Sequence, residues 1–504
     1  MSTNSSVRQA AVPSEPLSVS HSVPVQVAAL LLLFTMAAWY ESAHLSALAD
    51  PDVWWHLSTG NWILQNHAVP HYGLFSQYSN LPWTDSSWLF DVLLATAYKS
   101  IGLRALPVLL MASRVAIAVV TFVLARGSRL NFWLAVFLAA AAQYAIPSLP
   151  AGPVVCSIIL FAIELNLLFS ARRTGNVHPL FWLPLLFLLW VNLDVGFMFG
   201  LLLLLLFSAV AFGEEIGRRS AAGLSTGQRP AVPPAAAAMV LAGSLVAAFV
   251  SPYFFNSFAA ASEDLWRLVP YVQNLHAISF RRPQDYVLLL LAMAACFSLG
   301  RRRPRDMFQI ILMIGLLALA FTRQRDIWVL ALVSIAVIAD GLPISTISVE
   351  RNDHLRWKQT KLTTAGLVLI VFVAVVISRI PSSRETLLAK VGETFPVRAS
   401  DYICANHLQP PLFNAYDWGG FLTWYLPEYP VSIDSRTELY GDEMNERYFN
   451  VTTAQIPLDA DPSFANARTI LLSKDSPMAV ALSAVPQFRV AYQDDVSMVL
   501  LQGL

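Results

Sequence analysis

Runs of apolar residues close to the thickness of a bilayer recur along the chain, and nothing else limits its fold so strongly. A hydrocarbon core of about 30 Å takes roughly 20 apolar residues in a helix. Runs near that length stand at Val25–Ala43, Leu103–Ala125, Phe132–Ile146, Val154–Ser170, Phe181–Leu193, Phe197–Phe212, Ala235–Val250, Tyr286–Leu299, Phe308–Phe321, Trp328–Ala339 and Leu362–Ser378. Several are short and need tilt or burial behind neighbours. With 56% apolar and 13% charged side chains over 504 residues, an ordinary soluble protein is excluded. The pattern predicts an α-helical polytopic membrane protein of about eleven transmembrane helices.

The basic residues set its expected orientation. Arg126 and Arg129, Arg172 and Arg173, Arg218, Arg219 and Arg229, Arg301 to Arg303 with Arg305, and Arg351, Arg356, Lys358 and Lys361 fall in every second connection. Cytoplasmic loops carry such excess, so residues 1–24 are expected as a cytoplasmic tail and residues 25–379 as the membrane domain. The other connections then face outwards: a large first loop at 44–87 whose polar content runs from Asp50 to Asp91, then Pro147–Pro153, Asn192–Gly196, Ser251–Asp285 and Thr322–Asp326. No Lys or Arg occurs between Gln9 and Tyr98. The formal charge is balanced at 33 basic and 33 acidic residues, which argues against a nucleic-acid partner. Two charges, Arg114 and Glu164, fall inside spans and are read as an ion pair between helices.

Residues 380–504 change character and predict a small α/β domain on the outer side. Strand-length runs stand at Leu412–Asn414, Phe421–Trp424, Val431–Ile433, Thr469–Leu472, Val490–Tyr492 and Met498–Leu501. Short helices are expected at Arg398–Asn406, Glu443–Phe449 and Met478–Val485, and turns at Gly419-Gly420 and Asp434-Ser435-Arg436.

Chemistry-bearing groups collect in the first outer loop. Asp50 and Asp52 follow the first span directly; a carboxylate there can take a proton from a hydroxyl or hold a divalent cation, and Asp-Pro-Asp is also a common turn. Trp54, Trp55, His56 and Asp85 share the loop and are read as substrate contacts. Outward arginines run against the charge rule, so Arg323, Arg325 and Arg282 are read as contacts to a lipid phosphate, with snorkelling or surface pairing as the plainer alternative. The spacing of His56, His67 and His71 matches no familiar metal site.

Several stretches together resemble the GT-C superfamily of membrane glycosyltransferases, which holds protein O-mannosyltransferases, aminoarabinose transferases and oligosaccharyltransferase catalytic subunits. They are Asp50-Pro-Asp52-Val-Trp-Trp-His-Leu-Ser-Thr-Gly60, Pro70-His-Tyr-Gly-Leu-Phe-Ser76, Pro82-Trp83, Ser87-Trp88-Leu89, Trp190-Val-Asn-Leu193, Phe413 to Leu422 and Ile433 to Gly441. The resemblance implies an inverting enzyme of a bacterial inner membrane that moves a sugar from a polyprenyl-phosphate donor to a glycan, lipid or protein acceptor. By position after the first span it implies Asp52 as the general base, with Asp50 second, and it leaves a divalent metal open as the sole cofactor. The chain departs from the branch it resembles where Asp194 stands for a His and Phe280 for an acidic residue. Two other functions fit a chain of this kind: a transporter or flippase of lipid-linked glycans, and a non-catalytic membrane scaffold. The spans are nearly uniformly apolar and the polar groups sit in outer loops, which favours chemistry at the surface.

Overall fold

The computed structural model describes residues 23–127, 131–146, 151–220, 232–266, 277–302, 304–342, 374–375 and 377–503. The expected cytoplasmic tail, all but Val23 and Pro24, and most of the Leu362–Ser378 run lie outside these residues. The membrane part is a helical bundle. Its helices are α1 (Val23–His44), α2 (Asp52–Asn66), α3 (Trp88–Ile101), α4 (Ala105–Arg126), α5 (Phe132–Ala145), α6 (Val154–Thr174), α7 (Leu183–Trp190), α8 (Phe197–Ser220), α9 (Pro234–Ala248), α10 (Phe255–Trp266), α11 (Pro283–Arg301), α12 (Met307–Thr322) and α13 (Ile327–Gly341). Four helical stretches among the described residues are long and apolar enough to cross a membrane: Trp88–Arg126, Val154–Thr174, Phe197–Arg219 and Pro283–Arg301. Shorter apolar helices pack between them. Helix α13, apolar on every side, is buried from Ile327 to Ala339, as an all-round hydrophobic helix must be.

The connections sort to two ends. At one end Asp50 Oδ2 accepts from Ala151 N at 2.7 Å, the Trp88 indole donates to Asn192 Oδ1 at 2.9 Å, and the Tyr253 hydroxyl donates to Pro70 O at 2.6 Å. These contacts join segments expected on the same outer side. At the other end Arg172 pairs with Asp306 at 2.9 Å and Glu214 at 2.7 Å, while Arg173 and Arg302 both reach Asp340. The basic clusters of alternate connections therefore meet acidic partners at one end of the bundle.

The expected Arg114–Glu164 pair does not form. Both carboxylate oxygens of Glu164 are buried without a hydrogen-bond partner among the described residues. The side chain instead packs at the α6–α8 contact, where a Cβ on Gly200 would lie 2.6 Å from Glu164 Oε2 and 2.5 Å from the Trp190 ring.

The first outer loop is largely helical. Helices α2 and α3 pack on each other, and Gly60 permits this because a Cβ there would strike the Asp91 carbonyl. After the bundle come α14 (Arg384–Val391), α15 (Val397–Ala405), α16 (Tyr416–Tyr425), α17 (Thr437–Thr452), α18 (Pro462–Ala465) and α19 (Pro477–Ser483) with four strands, β1 (Leu412–Asn414), β2 (Thr469–Ser473), β3 (Phe488–Gln493) and β4 (Ser497–Gln502). The sheet order is β1-β2-β4-β3, with β1 parallel to β2 and the other pairs antiparallel.

Two expected strands are corrected. Phe421–Trp424 lies inside α16, because Trp418, Phe421, Leu422 and Tyr425 recur at helical spacing and Trp418, Phe421 and Leu422 are buried along it. Val431–Ile433 makes only an isolated bridge from Val431 to Ser76. Gly419 and Gly420 are not a turn either. They sit within α16, where a Cβ would strike the Ile433 and Pro51 carbonyls respectively, so the bareness of Gly419 lets the helix lie against the Ile433-Asp434 segment and that of Gly420 against the start of α2.

Candidate active site

Asp52 opens α2, partly exposed, at the point where the first outer loop meets the tail domain. Asp50 holds the turn before it: Oδ1 accepts from Asp52 N at 2.9 Å and Oδ2 from Ala151 N. Desolvation raises the Asp52 carboxyl to about 7, assisted by the charges of Asp50 and Glu438 and opposed by the Ser435 hydroxyl and His56. Burial also raises Asp50, against the pull of the backbone N–H groups it accepts from.

His56 lies one turn along α2. Its Nδ1 is 2.6 Å from Asp91 Oδ1, and its ring stacks on Trp55 at 3.6 Å. Burial lowers the imidazole below its ordinary value, while Asp85, Asp52, Asp50 and Glu438 pull the other way. Asp85 is buried and accepts from the Ser87 amide and hydroxyl. Burial and the neighbouring Asp91 hold Asp85 well above the usual carboxylate range.

The tail supplies the opposite wall. Arg436 is buried, bound to Asp434 at 2.6 Å, and donates to Leu74 O at 2.9 Å while lying 4.8 Å over the Trp83 ring. It fixes the tail to the first outer loop. Two residues further on, Glu438 accepts from the Trp83 indole at 3.2 Å and faces Asp52, its carboxyl raised by burial. Tyr416 looks onto Asp52, Asp434, Glu438 and Asp417. Ser435, Glu438 and Tyr416 were not singled out by the sequence as part of this site. The signal was present in the dense polar run Asp434 to Glu438, but its partner lies more than 300 residues earlier.

The structure divides the expected site residues. Asp50, Asp52, Trp55, His56 and Asp85 gather in one place. Trp54 does not join them: it is fully buried among Phe395, Phe421 and Trp424, and serves the packing of α2 on the tail. Arg323 is buried and donates to the Asp264 and Leu265 carbonyls at the end of α10. Arg325 holds Asp264 with two bonds of 2.7 Å, and Arg282 binds Asp285 at 2.8 Å. Arg282 and Arg325 keep 36% and 32% of their side chains exposed, so only these two retain an outward surface.

A second polar group lies close by. Asp194 accepts from the Ser157 hydroxyl and from Gly196 N, and burial raises its carboxyl to about 6. Ser157 in turn accepts from the Trp190 indole at 2.7 Å. Phe280, at the other departure, packs against Tyr286 and Phe321. Among the described residues no group of three or more His, Cys, Asp or Glu side chains is placed to hold a metal ion. Asp50, with both oxygens committed to backbone N–H groups, does not fit such a role.

An apolar groove of about 1160 Å³ opens on the bundle surface between α6, α7 and the connection from α9 to α10. Leu160, Ile163, Leu186 and Leu189 line it, and Trp88 and Asn192 stand at its polar rim. Trp88 begins α3, one turn before Asp91, so groove and acidic site share the same turn of helix.

No family model matches the sequence, and no curated protein matches it. Solved structures do match. The Archaeoglobus fulgidus oligosaccharyltransferase in the apo form is 12% identical, with 89% of this chain and 69% of that one covered at a TM-score of 0.53. The archaeal oligosaccharyltransferase AglB from the same organism, in complex with an inhibitory peptide and a dolichol-phosphate, is 11% identical with the same coverage and a TM-score of 0.54. ArnT from Cupriavidus metallidurans bound to undecaprenyl phosphate is 14% identical, covers 96% of this chain and 98% of its own, and scores 0.47. The chain shares the fold of these two oligosaccharyltransferase structures, and its long apolar helices mark it as a membrane protein.

Proposed function

We propose that this chain is an inverting glycosyltransferase of a bacterial inner membrane. It moves a sugar from a polyprenyl-phosphate donor to an acceptor hydroxyl on the outer face, with Asp52 as general base. The observation that carries the reading is the placement of Asp52 at the start of α2, where the first outer loop meets the tail and Asp50, His56, Ser435 and Glu438 surround it, its carboxyl raised to about 7. A base poised near neutrality is suited to deprotonating a hydroxyl. The shared fold with an oligosaccharyltransferase captured with dolichol-phosphate supports a lipid-linked donor, and the adjoining groove suits an isoprenoid chain by size and by its apolar walls.

In this mechanism the acceptor oxygen attacks the anomeric carbon as Asp52 takes its proton. The bond from that carbon to the phosphate oxygen breaks, and the electron pair leaves with the polyprenyl phosphate. Arg282 and Arg325, each with about a third of its side chain exposed, have surface to meet the departing phosphate, with Arg281 exposed beside them. The test is to incubate membranes holding the wild-type protein with a panel of radiolabelled polyprenyl-phosphate sugars. Label leaving one donor for an acceptor is expected, and a panel left intact would overturn the reading.

A further inference from the structure

We propose that His56, backed by the Asp85–Asp91 pair, is a proton relay behind Asp52, taking over the proton that Asp52 removes from the acceptor. This rests on the transferase reading above. A sugar-phosphate diester carries one negative charge on its phosphate and the released monoester can carry two, so a proton must leave the site in each turnover. Asp52 is regenerated only when that proton moves on.

The geometry supplies a way out. His56 follows Asp52 by four residues on α2, so the two side chains share a face with roughly 5–6 Å between their Cβ atoms. Direct transfer or transfer over one water spans that gap. The Nδ1 bond to Asp91 fixes the imidazole tautomer: Nδ1 carries hydrogen and Nε2 keeps its lone pair. Trp55 stacked on one face and Phe90 at 5.4 Å edge-on hold the ring in place. The close α2–α3 contact at Gly60 keeps Asp91 beneath it.

Behind the ring, the second oxygens of Asp85 and Asp91 are buried with no donor among the described residues, and the two carboxyls interact with each other. Two contacting carboxyls cannot both ionise, so they hold one proton between them. Arg436 is the cation that faces Asp91. The groups facing His56 are Asp85, Asp52, Asp50 and Glu438, with Asp91 bonded to it, and all are acidic. Burial keeps the ring neutral at rest, and this acidic surround stabilises the imidazolium when the proton arrives.

The step balances. The Asp52 carboxyl gives its proton to His56 Nε2 and becomes a carboxylate again; the imidazolium then releases that proton from Nε2 to water, while Nδ1 keeps its own hydrogen and goes on donating it to Asp91 Oδ1. No electron is gained or lost by the protein.

The experiment has two arms, both on the full chain in nanodiscs. In the first, protein labelled with ¹⁵N-histidine is titrated, and the His56 signal is identified by its loss in His56→Gln. The expected result is a neutral Nδ1–H tautomer at pH 7 in the wild type, giving way to Nε2–H in Asp91→Asn, whose amide can donate to Nδ1. An Nε2–H tautomer in the wild type, or a tautomer unmoved in Asp91→Asn, overturns the relay. In the second arm, turnover of the radiolabelled donor is measured for wild type and His56→Gly. Loss of kcat at unchanged KM, restored by added imidazole, supports the relay, while full kcat in His56→Gly overturns it. A wild type that turns over no donor overturns the transferase reading instead, and the titration still decides whether Asp91 sets the His56 tautomer.

Discussion

If Asp52 is the base, the rate must follow its ionisation. Its carboxyl is raised from 3.8 to about 7, first by desolvation and then by Asp50. About a tenth of it is then ionised at pH 6 and about a hundredth at pH 5. We expect kcat/KM to fall about tenfold per unit of pH below 7 and to level off above about 8. Asp50→Asn removes the largest charge that raises Asp52 and should move the midpoint to lower pH; Glu438→Gln should move it the same way by less. The assay is label transfer at donor concentrations well under KM, at constant ionic strength, from pH 5 to 9. A flat profile, or a midpoint near 4, refutes the reasoning. The same shift acts on stability in the opposite sense. Asp52 binds its proton more tightly folded than unfolded, so its contribution is fully present below about 3.8 and is lost as pH rises through about 7.

Other substitutions test the frame around the site. Gly420→Ala places a methyl against the Pro51 carbonyl and should lift α16 from α2, seen as faster tryptic release of the tail; unchanged protection would contradict that packing. Arg436→Ala leaves Asp434 buried and uncompensated and should cost about 3–5 kcal/mol, read as a lowered melting temperature. Glu164→Leu replaces a buried carboxyl that has no hydrogen-bond partner among the described residues, and should raise stability by about 1–3 kcal/mol. A lower melting temperature in that variant would show that the carboxyl is satisfied after all.

Apolar helices were legible because a bilayer imposes long apolar runs and leaves basic residues between them, and four of the stretches are long and apolar enough to cross a membrane. Arg172 and Arg302 lie where that pattern puts them, at one end with Asp306 and Asp340. The first outer loop was legible as a site but not as structure. Its helices α2 and α3 carry mixed polar and apolar residues, and their docking depends on a single bare position, Gly60. Short apolar runs misled where periodicity is ambiguous: Phe421–Trp424 has the length of a strand and the packing of a helix. The arginines show a different limit. Outward charge marked Arg323 as unusual, yet its partners are carbonyls at the end of α10, a contact that no local pattern announces. Glu438 meets Asp52 through the fold alone, so half of the site stayed hidden until the tail was placed over the loop.

The most direct test of the account compares sugar transfer by wild type, Asp52→Asn and Asp52→Glu at matched protein levels, with donor binding measured in parallel. The account predicts that Asp52→Asn binds donor as wild type does and loses transfer by at least about a hundredfold, while Asp52→Glu keeps part of the rate. Equal transfer by wild type and Asp52→Asn would contradict it.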